Sequence, residues 1–129
     1  MDHTERTILV AVTDIFFYTK VRDALRTGGY RIEKARTQQD IAEKTASTAS
    51  APAAVILDMN DLTLDAFQAI ETLKGDARSK AIPILAYANH EEVDTWNRAK
   101  ALGVTKIVSR NEFSARTKDL VDDVQKGIQ

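Results

Sequence analysis

The sequence contains no cysteine, which removes disulfides, thiolate nucleophiles and cysteine-ligated metals and is compatible with a reducing cytoplasm. Its two histidines, His3 and His90, are too few for a histidine metal site. No apolar run approaches the roughly 20 residues of a membrane-spanning helix, and the polar start (residues 1–6) leads into no apolar signal segment. An excess of either charge is also missing. Eighteen Lys and Arg against 19 Asp and Glu leave a net charge of −1, so no long-range positive field draws in nucleic acid or an anionic membrane. Gly28-Gly29 has no further glycines at the spacing of a phosphate-binding loop. Serine, threonine and histidine occur without a nucleophile elbow, so hydrolase chemistry has no motif to stand on. These gaps describe a cytoplasmic domain that is not an enzyme.

What is present fits one domain spanning residues 1–129, since 43% apolar residues can build a core and 29% charged residues give an ordinary surface. Thr7-Ile8-Leu9-Val10-Ala11-Val12 and Ala53-Ala54-Val55-Ile56-Leu57-Asp58 are apolar runs rich in β-branched residues, suited to strands buried on both faces. Ala81-Ile82-Pro83-Ile84-Leu85-Ala86-Tyr87 is a third, with Pro83 near its start. Tyr30-Arg31-Ile32-Glu33-Lys34-Ala35 alternates as a strand nearer an edge, and Lys106-Ile107-Val108 is short.

Between them, helical spacing links Phe17, Val21, Ala24 and Leu25, then Leu64, Phe67, Ile70 and Leu73, then Val93, Trp96, Ala99 and Leu102. Gly28, Gly75 and Gly103 stop these helices, Thr37 caps a modest one through about Thr45, and Asn89 is placed to cap the one carrying Trp96. Ser47 to Pro52 reads as a loop or frayed helix end. Phe113, Thr117, Leu120, Val121 and Val124 define a final helix. Strand and helix alternate five times, which predicts a three-layer, doubly wound α/β fold: a five-stranded parallel sheet with five helices. Its working cleft lies beyond the carboxyl ends of the strands.

Those ends carry Val12, Thr13 and Asp14; Asp58, Met59 and Asn60; Tyr87, Ala88, Asn89 and His90; and Ser109 and Arg110. In length, element order and local motifs the whole chain resembles a receiver domain of bacterial response regulators. The resemblance rests on Ile8-Leu9-Val10, Gly29-Tyr30, Val55-Ile56-Leu57-Asp58, Pro83-Ile84-Leu85 and Ala101-Leu102-Gly103, in that order. It implies a flavodoxin-like strand order 2-1-3-4-5 and puts Asp58 at the position that accepts a phosphoryl group from a histidine kinase. Family receivers add an acidic pair that holds magnesium, a hydroxyl residue after the fourth strand and a lysine after the fifth.

Here the acidic pair aligns with Val12 and Thr13, the hydroxyl residue with Ala88, and the lysine with Arg110. The usual methionine-proline pair after the acceptor is Asp61-Leu62. The losses converge on one site. The cleft and switch positions are then Val12, Thr13, Asp14, Asn60, Ala88, Ile107 and Arg110, with Asp14, Asp58 and Asn60 as weak metal candidates and no cofactor expected. Magnesium enters only if Asp58 is phosphorylated. Arg110 is expected to hold Asp58 in a bidentate pair, locking the cleft.

Plainer readings stand beside these. Asp14 and Asp61 suit helix-start or loop acids, His90 a surface or capping residue, and Trp96 the core. Adjacent Phe16 and Phe17 cannot both be buried by one helix face. The expectation is an atypical receiver that binds a protein through the face of its fourth helix, fifth strand and fifth helix, about residues 90–124, from His90 to Val124. A homodimer is a further expected partner arrangement. The alternatives are a phosphorylatable receiver served by a histidine kinase, and a small-ligand or enzyme domain on the same fold.

Overall fold

The computed structural model describes residues 6–46 and 51–127. Five parallel strands, β1 (Thr7–Ala11), β2 (Arg31–Lys34), β3 (Ala54–Asp58), β4 (Ile84–Ala88) and β5 (Lys106–Ser109), lie in the order β2-β1-β3-β4-β5. The helices are α1 (Ile15–Thr27), α2 (Gln38–Thr45), α3 (Ala66–Lys74), α4 (Val93–Leu102), α5 (Arg110–Ala115) and α6 (Thr117–Gln125). The expected flavodoxin-like order is present, with six helices and not five.

Alternation along the strands separates the core into two layers. Leu9, Ala11, Val55, Leu57, Ile84, Ala86 and Ala88 face one cluster with Ile41, Ile70, Leu73 and Ala99 of α2, α3 and α4. Ile8, Val10, Val12, Ala54, Ile56, Leu85 and Tyr87 face the other, with Phe17, Val21, Phe113, Leu120 and Val124 of α1, α5 and α6. Every side chain of β3 and β4 is buried, as a strand covered on both faces demands.

Three expectations about the elements need correction. The final helix is broken at Arg116 (φ −132°, ψ 33°), next to Thr117, whose hydroxyl donates to the Phe113 carbonyl at 2.7 Å. Asn89 does not cap α4. The cap position is Glu92, whose side chain is engaged elsewhere and makes no cap bond. The fourth strand begins at Ile84, after Pro83 and not at Ala81.

Thr37 does cap α2 by accepting the Asp40 N–H at 3.0 Å, and Gly103 (φ 103°) ends α4 in the left-handed region that glycine adopts without strain. Phe17 is buried and Phe16 is 84% exposed, dividing that pair as expected. Trp96 is half-buried against the first cluster. Residues 47–50 of the loop read at 47–52, and His3, lie outside the described residues.

Candidate functional site

β1 and β3 are neighbours although α2 and β2 intervene, so the chain reverses its winding there and opens a cleft at their carboxyl ends. Asp58 is the last residue of β3. Register sets Ala11 beside Leu57 and Asp58 beside Tyr87, so Asp58 lies on the α1–α6 face between Val12 and Tyr87. Its side chain is only 6% exposed. Thr13, Asp14, Asp58, Asn60, Asp61, Leu62, Thr63 and Arg110 line a cleft of about 350 Å³ above it.

Burial is the largest influence on the Asp58 carboxyl and pushes its pKa up; the nearby Asp61 charge adds to this. The Asn60 N–H, donating to Asp58 Oδ1 at 2.8 Å, Arg110 and Tyr87 pull the other way without restoring the ordinary value. Tyr87 is likewise pushed up, by burial and then by the Asp58 charge. Its hydroxyl is buried beside Asp58 but makes no hydrogen bond of regular geometry. Stacking on Phe113 (ring centroids 4.6 Å apart) and packing on Phe17 (5.2 Å) fix the ring.

Asp61 ties the loop after β3 to the end of β1. Its carboxylate accepts from the Thr13 N–H (2.8 Å), the Thr13 hydroxyl (2.8 and 2.9 Å), the Thr63 N–H (2.8 Å) and the Leu64 N–H (2.9 Å). Burial pushes the Asp61 carboxyl up, but the N–H groups of Leu64, Thr13 and Thr63 together outweigh it and hold its pKa below the usual range. The loop after β3 is also tied to the loop after β4. Asn60 Nδ2 donates to Glu92 Oε1 at 2.6 Å, and Asn60 Oδ1 accepts the Asn89 N–H at 3.0 Å. The Asn89 carbonyl in turn accepts the Trp96 indole N–H at 3.0 Å. His90 is exposed.

The bidentate Asp58–Arg110 pair does not form. Arg110 opens α5, and its guanidinium lies over the Phe17 ring (4.4 Å to the centroid) and 3.8 Å from Asp14. There it gains a cation–π contact and an ion pair at a half-exposed carboxylate, without the desolvation that reaching buried Asp58 demands. Asp14 caps α1, accepting from the Phe16 and Phe17 N–H groups at 3.0 Å. Val12 and Ala88 stand at strand ends and Ile107 lies within β5, but each is buried in an apolar cluster and none lines the cleft.

Magnesium does not fit this donor set. Asp61 is saturated by hydrogen bonds, Asp14 is committed to α1 and Arg110, and Asn60 bridges to Glu92 and Asn89. Among the described residues no three His, Cys, Asp or Glu converge on one point. Sequence reasoning treated Asp61 as a loop acid and passed over its bond to Thr13, a contact 48 residues apart in the chain that no local pattern announces. It also named Tyr87 at a strand end but gave it no role. The signal was a lone hydroxyl in an otherwise apolar strand, one position from the end.

Neither a protein-family model nor a curated protein matches the chain. Solved structures do. The phosphorylated cyanobacterial phytochrome response regulator RcpA superposes with a TM-score of 0.82 at 15% identity, covering 98% of each chain. The receiver domain of the sensor histidine kinase PA1611 from Pseudomonas aeruginosa, with a magnesium ion coordinated in its active-site cleft, gives 0.81 at 15% identity over 95% of this chain and 99% of that one. The chemotaxis response regulator CheY4 of Vibrio cholerae gives 0.75 at 20% identity over 92% and 99%. The fold is therefore that of response-regulator receiver domains.

Proposed function

We propose that the protein is an atypical receiver, a signalling module that binds another protein without needing phosphorylation of Asp58. One observation carries the reading: Asp61, a carboxylate that lines the cleft with Asp58, is spent on Thr13 and on its own loop. Attack by a carboxylate on a phosphoryl group brings negative charges together, and a divalent cation normally offsets them. Thr13 offers a hydroxyl in place of a carboxylate, and the loop acid is already satisfied. The end of β1 and the loop after β3 are thereby tied together, and output would follow from which conformation a partner selects.

The partner surface in this reading is the face of α4, β5, α5 and α6, where β5 is a sheet edge bearing Lys106. A second copy of the chain could occupy the same face. Among the described residues no helix is long and apolar enough to cross a membrane. A second reading, phosphoryl acceptance by Asp58 from a histidine kinase, is favoured by the Asp58 carboxylate at the cleft floor with Arg110 at its mouth.

A magnesium titration followed by Trp96 fluorescence separates the two, because Trp96 is tied through Asn89 and Asn60 to the loop after Asp58. The atypical reading expects no saturable change at millimolar magnesium. A saturable change that disappears in Asp58→Asn would favour the phosphoacceptor.

A further inference from the structure

From the end of the sheet opposite Asp58, a cavity of about 800 Å³ runs along the turn that leads from α4 into β5. Residues 103–108 border it, while Lys74 and Lys100 reach it from the last turns of α3 and α4. Lys106, the first residue of β5, adds a third ammonium, and Glu112 and Gly127 complete the lining. The Lys74 side chain lies across the turn, with its Cε 3.3 Å from where a side chain at Gly103 would start. Three separate elements, α3, α4 and β5, each supply one cation to the same space.

The one carboxylate in the lining does not neutralise them, because Glu112 is paired with Arg116 at 2.8 Å. Among the described residues none of the three lysines makes an ion pair. Lys74 donates to the Lys80 carbonyl at 3.2 Å and Lys100 lies 6.0 Å from the Trp96 ring, both neutral groups. Taken singly, each lysine has an ordinary reading: a cation suits the last turn of a helix, and a lysine guards a sheet edge such as β5. Neither reading requires all three to share one cavity without a free acid. In a chain of net charge −1 that cluster is a local excess whose self-repulsion a bound anion offsets.

We propose that the cavity between Lys74, Lys100 and Lys106 binds a small, multiply phosphorylated anion. Its volume is that of a small-ligand site. No arginine lines it, so the planar two-point grip that suits a carboxylate is missing, while ammonium groups act as point charges for a phosphate chain. An acidic peptide paired along β5 is a poorer occupant, since that edge is only four residues long. The inference does not rest on the atypical-receiver reading. The cavity opens on the face assigned to the partner, but its ligand is read with no partner present and with Asp58 in either state.

The test is an amide NMR titration of the full chain, in magnesium-free buffer, with sodium triphosphate, with ATP and with a short polyglutamate peptide. Both phosphate probes are expected to give saturable shifts centred on residues 74, 100 and 103–108 that weaken as salt rises. Tighter binding of ATP identifies a nucleotide, and equal binding identifies the phosphate chain alone; either supports the proposal. Lys100→Gln with Lys106→Gln should weaken binding about tenfold or more with the amide spectrum still that of a folded chain. Lys20→Gln with Lys34→Gln removes two positive charges outside the cavity and should leave the affinity unchanged. Absence of saturable shifts, shifts centred on the Asp58 cleft, equally tight polyglutamate binding, or full affinity in the Lys100 and Lys106 variant would overturn the proposal. An equal loss in the Lys20 and Lys34 variant would also overturn it, by reducing the effect to net charge.

Discussion

Asp58 and Asp61 are neighbouring carboxylates that the fold treats in opposite ways. Asp58 is buried with one N–H donor from Asn60, so its carboxyl is easier to protonate when folded than when unfolded. A raised acidic pKa means its stability contribution is fully present below the unfolded value and is lost as pH rises through the folded one. Asp58→Asn should therefore raise the melting temperature at neutral pH, with the gain shrinking as pH falls through the raised folded value and gone below the ordinary carboxylate range. Paired thermal melts across that range check it; a gain that grows toward acid would contradict the account.

Asp61 has the opposite sign. Its lowered pKa makes its contribution present above the unfolded value and lost as pH falls through the folded one. Asp61→Ala leaves the Thr13, Thr63 and Leu64 N–H groups without this acceptor and should cost about 1–3 kcal/mol at neutral pH. Denaturant unfolding would measure this, with an expected smaller loss for Thr13→Val, because the Thr13 N–H to Asp61 survives that change.

Among the elements, the three-ring stack of Phe17, Tyr87 and Phe113 joins α1, β4 and α5 directly behind Asp58. Phe113 is fully buried, so Phe113→Ala should cost about 3–5 kcal/mol and lower the melting temperature by on the order of 10 °C or more. A loss within 1–2 °C by calorimetry would mean that the stack does not hold α5 in place. The strands and most helices were legible because β-branched runs and 3.6-residue spacing report burial directly. The break at Arg116 was not, since Phe113, Leu120, Val121 and Val124 keep helical spacing across it and only the backbone angles of Arg116 reveal it. The α4 cap was missed for a related reason. Glu92 stands at the cap but spends its carboxylate on Asn60, and Asn89, the better capping type, is held by other bonds.

For the whole molecule, alternating strands and helices were enough to place Asp58 at the carboxyl end of a buried parallel strand, while the strand order came with the resemblance to receivers. The interior of the site was less legible. Arg110 was expected at Asp58 from charge and position, but the direction of α5 carries it to Phe17 and Asp14. Thr13 was counted as a missing acid when it is the donor that engages one.

These corrections strengthen one claim, that a hydrogen-bonded tie between β1 and the loop after β3 occupies the carboxylate a metal would need. The most direct test is incubation of the wild type and Asp58→Asn with a small phosphodonor and millimolar magnesium, read by intact mass under conditions that preserve acyl phosphates. The account predicts no phosphoryl-mass adduct on either protein. Stoichiometric, acid-labile phosphate on the wild type that is absent from Asp58→Asn would contradict it.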